Sequence, residues 1–350
     1  MFDEIFLLIL GGVLLLVFFW AFRTLPGEDW QILACLPGRK GSNGVWQGMN
    51  LTYYGFFNAT ACLLAVLIFL MMTGALNVGI LAALSVVVPV LLVCMGAARL
   101  IARWVEKKHH TFSVGAASFI GIIIAPWIIF SLNITLGKWQ GFYIPMVGTL
   151  TAMVTAYAFG EGLGRLACIS FGCCYGQPLT DCHPIIRKVF MNWNFVFWGK
   201  TKKIVYAHQL EGQKVVPIQA LTAVLYTGTG LLSLYFFLKG HAPAAFMMTL
   251  IITQGWRFLS EFLRADHRGQ DRISAYQIMT LAATGYAFIV MPLLADAGSA
   301  MPNLSAGLIS LWDPGLIIFS AVLWFAAFLY TGKSNVTCSS INIRIVEKNI

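Results

Sequence analysis

Four arginines and two glutamates set in strongly apolar sequence are the residues best placed to do chemistry: Arg99, Glu161, Arg165, Arg257, Glu261 and Arg264. A charge at mid-bilayer costs about 2.5–3.5 kcal/mol on insertion scales, so each of these side chains needs a partner or a polar cavity. Glu161 and Arg165 are spaced i, i+4. Arg257, Glu261 and Arg264 fall at i, i+4 and i+7, one stripe of a single helix. One reading of the glutamates is that they only neutralise arginines so that the helices insert. Two carboxylates against four guanidiniums still leave surplus positive charge. A guanidinium binds phosphate bidentately and keeps its proton, so the surplus points to a phospholipid headgroup. A voltage sensor would repeat arginine every third residue, and this chain does not.

The second cluster is FGCCYG at 171–176, just after Arg165 and the glycines around it (Gly160, Gly162, Gly164). Small residues there allow close backbone approach of a helix or a ligand. The spacing C-x4-C-C-x7-C-H over Cys168, Cys173, Cys174, Cys182 and His183 departs from the paired ligands two to four residues apart of structural zinc sites. No metal and no cofactor is therefore expected. A vicinal disulfide would be strained. A thiol intermediate activated by Arg165 is chemically open. The favoured reading is a small-residue turn, with Gly176 and the cysteines closing a phosphate site.

These residues must be positioned by membrane-spanning helices. The 350 residues are 59% hydrophobic and only 11% charged, against about 25% charged for a soluble domain. The fold class expected is all-α, a polytopic helical membrane bundle. The apolar runs predict about nine spans, near 4–22, 51–72, 78–103, 113–132, 143–162, 216–238, 243–264, 276–296 and 312–331. The first opens on Asp3 and Glu4 and lacks a small-residue cleavage site, so it is expected to stay as an anchor. The stretch at 177–215 is expected to form an extramembrane loop.

If the helices alternate, segments 23–50, 103–112, 176–215, 265–275 and 332–350 share one side. They carry seventeen of the lysines and arginines, whereas the other side has only Lys138 and Lys239. Such a bias predicts that the basic loops are cytoplasmic; an anionic-lipid site on either side is the alternative reading. The bilayer is an expected partner and nucleic acid is not.

Several segments together resemble the prolipoprotein diacylglyceryl transferase family. GRLACISFGCCYGQP is similar to its Gly-Arg signature, in a divergent branch whose turn is Gly-Cys-Cys-Tyr-Gly. WRFLSEFLRADHRGQDRISAYQIM is similar to its Arg-Phe…Glu helix and the glutamine-containing helix that follows. VPIQAL, LTYYGFF and MGAARL match its Pro-Ser-Gln, Tyr-Gly and Gly-Gly-Arg segments. The resemblance spans roughly residues 50–298, leaving 1–49 and 299–350 as an extra helix and flanking segment at each end.

The resemblance implies a bacterial plasma-membrane enzyme. Such an enzyme moves the diacylglyceryl group of phosphatidylglycerol to the thiol of a prolipoprotein lipobox cysteine. Arg165 and Arg257 would hold the lipid phosphate, with Glu261 as the helix glutamate. Tyr54, Arg99, Cys168, Cys173, Gly176, Gln219 and Arg264 would line the substrate site.

The chain departs from the family in three ways. Where a His-Gly-Gly motif is expected, FSVGAASFIG has no histidine, although His109 and His110 lie just before it. Cys168 and Cys173 replace an asparagine and an acidic residue of the signature. The family works on the outer side, whereas the matching loops here carry the basic excess. The departures bear on acceptor and sidedness more than on the donor, and they leave Glu261, His208 or His267 as the general base. An anion transporter and a non-catalytic lipid-binding protein are the competing readings.

Overall fold

The computed structural model describes residues 1–42, 44–106, 114–265, 273–294 and 301–350. All nine expected stretches are helical: α1 (Phe2–Thr24), α2 (Tyr53–Ala75), α3 (Ile80–Glu106), α4 (Val114–Leu132), α5 (Met146–Phe171), α6 (Ile218–Leu238), α7 (Ala242–Ser260), α8 (Ala275–Val290) and α9 (Pro314–Gly332). The protein is an all-α polytopic membrane bundle. Seven of these helices are long and apolar enough to cross a bilayer.

The other two, α5 and α7, carry Glu161, Arg165 and Arg257 and lie within the bundle. The α5 helix packs against α2, α6 and α7 and is buried along most of its length. Small residues allow these contacts. A side chain at Gly162 would strike Thr227 Oγ1 of α6 at 2.4 Å, and one at Gly160 would meet Ala65 Cβ of α2 at 2.9 Å. Hydroxyls carry polarity through the interior: Thr155 and Ser233 hydrogen-bond at 2.6 Å, and Tyr226 donates to the Thr253 carbonyl at 2.8 Å.

Two sequence expectations change here. The helix expected at 143–162 runs to Phe171, because the Glu161–Arg165 ion pair lets both charges stay on it. The helix expected at 243–264 stops at Ser260. Glu261–Leu263 forms a 3₁₀ turn and Arg264 is extended, so the three charges do not share one helical stripe.

The flanking segments, expected as loop and tail, build an antiparallel sheet. Its order is β1 (Ile32–Lys40), β2 (Trp46–Thr52) and β3 (Lys333–Ile341), with β2 in the centre. Thr52 Oγ1 donates to the Gly332 carbonyl at 3.0 Å, and Gly55 packs directly on Gly332. The first and last segments are thereby tied to the same end of the bundle.

The 177–215 stretch closes over that end. Gln31 and Thr201 exchange hydrogen bonds of 2.7 and 2.6 Å. Fully buried Lys202 donates to the Leu25 carbonyl at 3.0 Å and the Ser170 carbonyl at 2.7 Å, satisfying the C-terminal ends of α1 and α5. At the opposite end Lys239 pairs with Glu4, and Asn303 donates to Ala75. Segments 25–42, 44–52, 171–217, 260–265 and 332–341 therefore lie together. Residues 107–113 and 266–272, with His109, His110, Ser113, His267, Arg268 and Arg272, lie outside the described residues.

Candidate phosphate site between helices five and seven

Arg165 from α5, Arg257 from the end of α7 and Arg264 from the turn after it converge on one small recess of about 10 Å³. It is lined by Arg165, Cys174, Thr222, Tyr226, Trp256, Arg257, Ser260, Glu261 and Arg264, among others. Arg165 is paired with Glu161 one helical turn earlier on α5. Arg257, at the C-terminal end of α7, donates to Tyr157 Oη at 3.0 Å. The guanidinium of Arg264 lies 4.0 Å from Glu261. The charged side chains of this group are at least nine-tenths buried except Arg165, which is 12% exposed. With Glu161 and Glu261 counted against three arginines, the recess keeps a net positive charge.

The Nε atoms of both Arg165 and Arg257 are buried and find no hydrogen-bond partner among the described residues. A buried, unsatisfied charged donor costs more than about 1–3 kcal/mol. Both residues line the recess, and donors of this kind suit the oxygens of an anion such as phosphate.

Local sequence explains how the walls form. Gly172 takes φ +70° at the end of α5, and Cys173 N–H returns to the Cys168 carbonyl at 3.0 Å, a helix-ending turn that favours glycine. A side chain at Gly172 would also crowd Lys202 at 3.1 Å. The FGCCYG turn is then clipped in place from two directions. Gly176 bridges Arg264 and Ala265 N–H donates to the Tyr175 carbonyl, while Gln219 Nε2 donates to the Cys173 carbonyl at 2.9 Å. The Oε1 atom of Gln219 is buried without a hydrogen-bond partner among the described residues. The helix after the site begins with a capping box between Ser274 and Gln277, and Gln277 Nε2 reaches the Phe258 carbonyl at 3.1 Å.

The structure brings most of the sequence-derived residues together. Arg165, Arg257, Glu261 and Arg264 line the recess, and Gly176 and Gln219 brace its turn. Tyr54 packs against Phe171 in a tilted arrangement, with ring centroids 5.5 Å apart, at the base of the same turn. Arg99 does not join them: it is exposed and lies over the Tyr330 ring of α9, 5.1 Å from its centroid. Cation–π contact with an aromatic at the bundle surface accounts for it. His208 bonds to Tyr175 Oη, and His267 falls outside the described residues.

Sequence reasoning missed Tyr157, Tyr226 and Trp256. A signal existed for one of them: Tyr157, Glu161 and Arg165 repeat every fourth residue along one face of α5. Gly115, in the segment where the family motif has its histidine, was also missed. A side chain there would meet Arg257 Nη2 at 2.7 Å, so the segment does reach the site. The cysteines also gather despite their spacing. The Sγ atoms of Cys168, Cys173 and Cys174 all lie within 4.8 Å of one another, and none is in a disulfide.

No protein-family model, curated protein or solved structure matches the chain.

Proposed function

We propose that the protein is a transferase that moves the diacylglyceryl group of phosphatidylglycerol, an anionic phospholipid, to an acceptor, by default the thiol of a lipoprotein cysteine. The observation that carries this reading is the pair of buried, unsatisfied Nε atoms on Arg165 and Arg257, supplied by different helices to one recess.

Displacement at a glycerol carbon builds charge on the departing phosphate. Fixed guanidiniums in a site shielded from water stabilise that charge without reorganising, an effect worth about 2.7–4 kcal/mol for one such donor elsewhere. Tyr157 and Gly115 hold the Arg257 fork in place, while Glu161 holds Arg165. Glu261 supplies the carboxylate nearest the reaction, as candidate general base. The charge distribution supports a bacterial plasma-membrane location with the basic end in the cytoplasm.

A second reading keeps the donor and changes the acceptor to a lipid or small molecule on the cytoplasmic side. It is favoured by Gly115 standing where the resemblance expects a histidine motif, and by Cys174 and Arg264, from the end that carries the described basic segments, lining the recess. Incubating the purified protein with headgroup-labelled phosphatidylglycerol, with and without a lipobox peptide, tests both. Glycerol phosphate release with thioether formation on the peptide supports the first, and release without peptide modification supports the second. Lipid binding without turnover refutes the enzyme.

A further inference from the structure

Cys168, Cys173 and Cys174 offer three thiol sulfurs within 4.8 Å of one another, placed there by the backbone. The turn that ends α5 folds Cys173 over Cys168 through the 3.0 Å Cys173 N–H to Cys168 carbonyl bond. A left-handed conformation at Cys174, φ +54°, follows directly. Three thiolates around zinc at about 2.3 Å Zn–S place the sulfurs roughly 4 Å apart, so the cluster needs to tighten by at most about 1 Å. Among the described residues no fourth histidine, cysteine or carboxylate joins the group. Structural zinc sites close all four positions with protein ligands, whereas catalytic ones leave one open to water or substrate. Cys174 also lines the arginine recess, which sets the thiol group beside it.

We propose that Cys168, Cys173 and Cys174 bind a zinc ion whose fourth ligand is the acceptor thiol. The inference rests on the transferase reading and gives it the acceptor-activating group that FSVGAASFIG, without a histidine, lacks. Zinc binding displaces the three cysteine protons and leaves the site with a net single negative charge, facing a recess rich in arginine. An acceptor thiol entering the fourth position gives up its proton to Glu261, the candidate base lining the same recess, since a metal-coordinated thiol is deprotonated. Its sulfur then attacks the glycerol carbon that bears the phosphate ester. The S–C bond forms and the C–O bond breaks. The electron pair stays on the phosphate oxygen, which leaves as glycerol phosphate held by Arg165 and Arg257, and zinc keeps its oxidation state throughout.

The test uses the full chain, purified under reducing conditions in nanodiscs and measured for metal content. The expected result is about one zinc per chain, lost in Cys173→Ser and in the partly exposed Cys174→Ser, and retained in Cys182→Ser as a control for handling. Loss of zinc with unchanged gel-filtration behaviour separates metal ligation from misfolding. With cobalt substituted for zinc, adding a lipobox peptide should shift the visible ligand-field bands, and a peptide with serine for cysteine should not. Zinc-free protein, or a disulfide among the three cysteines, overturns the metal site. Bound metal whose cobalt spectrum ignores the thiol overturns the acceptor role. Thiol-responsive metal without phosphatidylglycerol turnover leaves the metal site standing and sinks the donor reading, so the two failures are distinguishable.

Discussion

At the scale of single residues, the site depends on how tightly Arg257 is held. Gly115 leaves no room for a methyl group beside its guanidinium. Gly115→Ala should therefore displace the fork and lower turnover about ten- to a hundredfold, with little change in thermal unfolding. Equal losses in activity and stability would mean that Gly115 is only a packing residue. The arginines and Glu261 were legible in the sequence because charge in apolar helices is costly and so marks function. Arg99 met the same criterion and lies elsewhere, because an exposed guanidinium at the bundle surface can settle on an aromatic ring instead. Tyr157 and Trp256 escaped notice because aromatics are ordinary in membrane helices. The thiol cluster escaped because a turn, and not ligand spacing, brings it together.

At the scale of elements, helix existence was readable from hydrophobic runs, and all nine appeared where expected. Their ends were not readable. The α5 helix continues through its ion pair, and α7 stops before Arg264. The sheet was missed because β2 and β3, which complete it, pair residues about 290 apart in sequence, although β1 and β2 form a local hairpin. Lys202 joins the loop to the ends of α1 and α5, and burial pushes its ammonium down to about 8, with Glu28 opposing. The unfolded chain keeps that proton up to its ordinary value of 10.5, whereas the folded chain releases it near 8. Stability from this group should therefore be lowest below about 8 and rise as pH climbs to about 10.5. Comparing thermal unfolding of the wild type and Lys202→Met across that window checks this. The difference should move in favour of the wild type with rising pH, and a pH-independent difference would contradict it.

At the scale of the whole molecule, the fold places the described basic segments at 23–42, 44–50, 176–215 and 332–350, its sheet and the recess at one end. The proposed topology puts that end in the cytoplasm. Single cysteines at exposed Lys200 and His241, in a background with all eight native cysteines replaced, report the two ends separately. In intact cells a membrane-impermeant maleimide should label position 241 and spare position 200. The reverse pattern would invert the topology and move the recess to the outer face.

The most direct measurement of the central claim is the rate of glycerol phosphate release from labelled phosphatidylglycerol by the wild type, Arg165→Lys and Arg257→Lys. Lysine keeps the charge and loses the fork. Each single variant should fall by about 10²–10³-fold while remaining folded. Release that is absent in the wild type, or undiminished in both variants, would contradict the account.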